Sequence, residues 1–346
     1  RRENGEIPKP QYLKAILYFD LSQEEKYDSE YQRLVKRLYG IDIVKKPELG
    51  KKPSWLEENA TIPTKTRTKY ECLKQQKPDN AKKNEFRSFL SAIKEKIVNF
   101  KKDEIGDSLS AEEYIELYDD TKLYRDDFLH LLKYSIYVPE AYKMIASGME
   151  EICAEIRDKY GYKGEVTKTL LHEIFIYVVA FYLKNKEFDA LAYILSKTYF
   201  VTKYGDNADK SFEVFYDNNE SLDRAVSQKD GKKYYSGTAA HWVNNINIEI
   251  CNKKEFVFAD IFCHNASIFI ENYTGGWLWF PITYIYDNAE YGNSLFRQFA
   301  VRLKSKEHLC DVTKIMGFSD IEVFKKKYIE IETEFRRGNF REYRYN

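Results

Sequence analysis

The chain has 346 residues, room for two or three domains and a sizeable core. Its 55 basic and 55 acidic side chains cancel, which disfavours nucleic acid or an anionic membrane as a partner of the whole surface and leaves only local basic patches. Five scattered cysteines (Cys72, Cys153, Cys251, Cys263, Cys310) form no CxxC, so neither a zinc site nor a disulfide framework is suggested, and a reducing cytoplasm is the expected setting.

Residues 1–56 open with a turn at Asn4-Gly5 and a Pro8-Lys9-Pro10 entry. An apolar strand-like run, Ile16-Leu17-Tyr18-Phe19, ends in Asp20. Ser22 and Glu25 form a capping box, after which Tyr27, Tyr31, Leu34, Val35 and Leu38 fall on one helical face and Gly40 supplies a stop. An extended tail punctuated by Pro47, Gly50 and Pro53 runs to Trp55-Leu56. One strand and one helix cannot close a sheet, so this segment is expected to be the end of an α/β domain that starts upstream; without an initiator Met the chain reads as trimmed.

Residues 57–84 are polar, Lys- and Thr-rich and broken by Pro63 and Pro78, and are expected to be a linker. From residue 85 to 346 the period becomes helical, beginning with Phe86, Phe89, Leu90, Ile93, Ile97 and Phe100. Capping boxes at Ser110/Glu113 and Ser319/Glu322 open two helices; others are predicted over 122–137, 139–160, 165–185, 187–201, 237–250, 254–271, 293–304 and 306–316. A short hairpin is expected around Lys229-Asp230-Gly231. Leu170–Leu183 is too short for the roughly 20-residue membrane span and holds His172 and Glu173, so it is predicted to be a buried helix. The expected fold is mainly α, a multi-helix region preceded by an α/β remnant.

Three landmarks in the first segment resemble the C-terminal end of bacterial SEFIR domains, relatives of Toll/interleukin-1 receptor (TIR) domains. They are Pro10-Gln11-Tyr12-Leu13 with Tyr18-Phe19-Asp20-Leu21-Ser22, Tyr31 through Leu38-Tyr39-Gly40, and Lys46-Pro47-Glu48-Leu49-Gly50-Lys51-Lys52-Pro53-Ser54-Trp55-Leu56. The likeness implies that residues 16–20 and 24–39 are the last strand and helix of a flavodoxin-like sheet. It further implies an antiviral defence protein that oligomerises or forms filaments on meeting a phage protein or another infection signal, and then cleaves NAD. The Glu that serves that cleavage is expected upstream of Arg1, so no residue here inherits it. Trp277-Leu278-Trp279-Phe280-Pro281, Leu295-Phe296 and Arg302-Leu303-Lys304-Ser305 are similar to regions that accompany such domains. On this reading residues 85–346 are a sensing and oligomerisation region, with NAD a substrate of the intact protein and no cofactor or metal in this part.

Arg125 and His130, five apart on one predicted helix, match the pattern of HEPN ribonucleases, in which Arg and His act on the RNA 2′-hydroxyl and scissile phosphate. The alternative is the start of an amphipathic helix with a solvent-facing Arg125. A non-catalytic scaffold is a further alternative. His172-Glu173 is adjacent rather than i, i+4, so it reads as a hydrogen-bonded core or boundary pair and not as a zinc helix. Trp277, Trp279, Phe280 and Tyr284 form an aromatic segment expected either to anchor a partner or to wedge between helices of its own domain.

Overall fold

A computed structural model describes residues 26–28, 31, 35, 70–100, 109–157, 159, 161–201, 209–269, 279–286 and 301–336. The chain divides into two compact units, Arg1–Ala60 and Thr61–Asn346. In the first unit, the expected strand and tail lie outside the described residues. Tyr27 and Tyr31 are helical there, and their exposed rings, one turn apart, stack with centroids 5.9 Å apart.

The second unit is mainly α, as its 3.6-residue apolar period requires. Its helices are α1 (Asp79–Val98), α2 (Ala111–Asp120), α3 (Lys122–Tyr134), α4 (Ala141–Arg157), α5 (Gly161–Lys184), α6 (Phe188–Ser196), α7 (Glu220–Asp230), α8 (Gly237–Asn244), α9 (Lys253–Phe269), α10 (Lys306–Ile315) and α11 (Ile321–Arg336). Strands β1 (Tyr199–Phe200) and β2 (Asp209–Lys210) pair antiparallel, with Tyr199 opposite Lys210.

Helix α5 organises this unit. It is apolar around its whole circumference, and every residue from Thr169 to Tyr182 is buried. Such a helix needs neighbours on all sides. They are α2, α3, α4, α6, α9 and a 3-10 turn at Phe212–Phe215. The helix is long and apolar enough to cross a membrane, but 89% of its most apolar window is covered by this protein fold. Around this axis α1 packs on α3 and α4, α7 on α2 and α8, and α10 on α6 and α11.

The Ser110 capping box is present: Glu113 N–H donates to Ser110 Oγ at 3.3 Å, and Ser110 N–H to Glu113 Oε2 at 2.8 Å. Other local expectations change. Tyr70 and Leu73 are buried and α1 begins at Asp79, so residues 70–84 belong to the helical unit and not to a linker. No hairpin forms around Gly231; α7 is capped by Asn219, which accepts from Leu222 N–H at 2.8 Å, and stops at Gly231 with φ +60°. The turn signal was that of a helix C-terminus. Helix α11 is capped by Asp320, whose Oδ1 accepts from Glu322 N–H at 2.6 Å and Val323 N–H at 3.2 Å, in place of Ser319. The predicted helix 187–201 ends at Ser196, and most of 293–304 lies outside the described residues.

Candidate functional site

Arg125 leaves the first turn of α3 pointing inward, 4% exposed, which corrects the solvent-facing alternative. Its Nη1 donates to Glu173 Oε1 at 2.8 Å and to the Asn245 carbonyl at 3.2 Å, and its Nε to Asp126 Oδ1 at 3.0 Å. The other Glu173 oxygen accepts the Tyr118 hydroxyl at 2.7 Å, and that hydroxyl accepts Trp242 Nε1–H at 2.6 Å. Side chains of α2, α3, α5 and α8 therefore meet in one largely buried network. Burial opposes the Arg125 charge, but Glu173 and Asp126 outweigh it and hold the guanidinium protonated. Burial likewise pushes the Tyr118 hydroxyl far above its ordinary range.

His130, five residues on, has its ring between Tyr70 and Tyr134, with centroids 5.3 and 5.4 Å away. Arg125 instead bonds Asp126, Glu173 of α5 and the Asn245 carbonyl, so the two side chains share none of these contacts. A phosphate approaching Arg125 would have to displace Glu173.

His172 is wholly buried beside Glu173, as expected of a core pair. Its Nδ1 lies 3.0 Å from the Asp217 carbonyl and 3.3 Å from the Asp217 N–H, and its ring is surrounded by Tyr216, Trp242 and Trp279 at 4.8–5.0 Å. Among the described residues its Nε2 has no hydrogen-bond partner. Burial lowers its pKa to about 3, against a smaller opposing effect of the Asp217 backbone. The Asp217 carboxylate accepts Thr169 Oγ1–H at 2.7 Å, yet burial raises it to about 6. Among the described residues no three His, Cys, Asp or Glu side chains gather as a metal site requires.

Of the aromatic segment, Trp277 lies outside the described residues. Trp279 is 0% exposed, so its expected role as a contact surface gives way to that of an internal wedge against His172, Phe175, Phe212 and Tyr216. Its Nε1–H donates to Asp260 Oδ1 at 2.7 Å, while Asp260 Oδ2 accepts from Thr283 N–H and Oγ1–H at 2.9 and 2.8 Å. The Trp279 carbonyl is 2.7 Å from His264 Nδ1. Burial raises Asp260 to about 6 despite its three donors. Phe280 and Tyr284 stay partly exposed beside Tyr235. Asp260 and Tyr235 were not singled out from sequence; the available signal was a carboxylate inside the apolar run from Phe256 to Phe262.

No protein-family model matches this chain, and neither does any curated protein or solved structure.

Proposed function

We propose that this chain is the regulatory part, sensing phage infection, governing oligomerisation or both, of a bacterial SEFIR/TIR-type antiviral defence protein whose intact form cleaves NAD once activated. The observation that carries this reading is the position of the unit boundary. All the SEFIR-like landmarks fall within residues 10–56, and the first compact unit ends at Ala60, just past the last of them. The helical unit would then hold effector domains apart at rest and assemble them when a signal binds. That is a population shift, which requires the signal to favour the assembled state.

The ribonuclease alternative loses support from the surroundings of Arg125, whose donors are taken by Glu173, Asp126 and Asn245. The test is to incubate the 346-residue chain, and a longer protein carrying a complete SEFIR-type domain, with NAD and with RNA. The chain alone should leave NAD intact, and the longer, triggered protein should consume it. Turnover of NAD by the purified chain would overturn this assignment. So would RNA cleavage that His130→Ala abolishes while NAD survives. Intact NAD in both samples would instead favour a scaffold.

A further inference from the structure

We infer that the surface formed by Tyr235, Phe280 and Tyr284, edged by Lys232, Lys233 and Lys253, binds single-stranded nucleic acid. The three rings contact one another: Tyr235 lies 5.8 Å from Tyr284 and 6.4 Å from Phe280, and Phe280 meets Tyr284 edge-to-face at 6.1 Å. Tyr235 is 59% exposed, and the other two rings are partly so.

The backbone beneath these rings is fixed. Phe280 follows the buried Trp279, Tyr284 follows Thr283 on Asp260, and Tyr235 precedes Ser236, whose hydroxyl donates to Asp223 at 3.1 Å. An aromatic surface held in place before binding loses little entropy on stacking a base.

Three lysines edge the rings. Lys232 and Lys233 are exposed just before Tyr235. Lys253 Nζ lies 5.8 Å from the centre of the Tyr286 ring, whose hydroxyl reaches the Ser236 carbonyl at 3.5 Å, so this lysine borders the same surface. Among the described residues none of these three lysines forms an ion pair, whereas Lys77, Lys94, Lys184 and Lys314 elsewhere do. The neighbouring acid, Asp230, accepts the Tyr234 hydroxyl at 2.7 Å. Lysines attract any polyanion, but flat exposed rings beside them suit unpaired bases better than acidic side chains or lipid tails. The chain's zero net charge concerns the whole surface and leaves this patch unaffected.

The test is fluorescence anisotropy of labelled RNA and DNA single strands of about 20 nucleotides with the 346-residue chain. Titrations at about 50 and 200 mM salt should show binding that weakens as salt rises. Tyr235→Ala should weaken it at least about fivefold, the lower end for loss of one stacking ring. Lys232→Ala with Lys233→Ala should flatten the slope of log affinity against log salt by about 1.4. Lys325→Ala, on α11 and paired with Glu322, should change neither. Absence of binding at low salt, or unchanged affinity in both patch variants, overturns the inference. So does capture by anionic phospholipid vesicles with no affinity for the oligonucleotides. If Tyr235→Ala melts early, the double-lysine variant decides.

Discussion

Arg125 Nη1 and Glu173 Oε1 lie 2.8 Å apart with both side chains almost wholly withdrawn from water, a contact that ties α3 to the central helix α5. Two charges are tolerated at such depth only when each compensates the other and the remaining donors and acceptors are satisfied. Here Tyr118, Asp126 and the Asn245 carbonyl complete the set.

Removing one partner should therefore cost far more than a surface ion pair does. Arg125→Met and Glu173→Met should each lower unfolding free energy by about 3–5 kcal/mol, because each leaves a buried charge without its most buried partner. The double variant should lose clearly less than the sum of the two. Urea unfolding of all four proteins measures this, and simple additivity would show that the two residues act separately.

Asp260 holds residues 279–283 against α9 through three donors, Trp279 Nε1–H and the N–H and hydroxyl of Thr283. A carboxylate accepts from all three, but an asparagine must turn an N–H toward one of them. Asp260→Asn should cost about 1–3 kcal/mol despite its near-identical shape. A shift of tryptophan emission to longer wavelength would report the loosening around Trp279. An unchanged melting temperature and spectrum would contradict the role given to these bonds.

Among the described residues, two non-glycines sit in the left-handed region, Glu140 at φ +58° and Lys186 at φ +57°. The exposed Lys186 side chain makes no ion pair among the described residues, so Lys186→Gly should stabilise the protein by about 1 kcal/mol by relieving the backbone. Glu140 differs because its carboxylate holds both Lys83 and Lys143. Glu140→Gly should gain less than Lys186→Gly, or lose stability. Thermal unfolding of the two variants ranks them, and the opposite ranking would contradict the assigned contacts.

The helices could be read from the sequence where apolar spacing and a local cap acted together, as at Ser110/Glu113 before α2, and where apolar residues dominated, as in α5. Local signals failed where two nearby groups could do the same job. Asp320 displaced Ser319 as a cap, and Gly231 ended a helix instead of turning a hairpin. The polar interior could not be foreseen because it joins residues far apart in the chain. Arg125 finds Glu173 48 positions away, and Trp242 finds Tyr118 124 positions away. No local pattern distinguishes such an arginine from one facing water. The aromatic segment was visible as a feature, but which ring turned inward depended on Asp260 and His172.

His172 titrates near 3 in the fold and near 6.5 when unfolded, so acid protonates the unfolded chain first and lowers stability as pH falls from 6.5 towards 3. Asp217 and Asp260 act in the opposite sense. Their folded values of about 6 lie above the unfolded 3.8, so the fold takes up protons first and gains stability as pH falls from 6 to 3.8. Between pH 7 and pH 5 the histidine should remove about 2 kcal/mol, and each aspartate should add about 1, leaving these three contributions nearly balanced. His172→Phe keeps an aromatic ring among Tyr216, Trp242 and Trp279 while removing the titration, at a cost that does not vary with pH. Relative to the unaltered protein, the variant should therefore be about 2 kcal/mol better off at pH 5 than at pH 7. Urea unfolding at the two pH values measures the difference, and parallel pH profiles would mean that His172 is not the acid-sensitive group in this core.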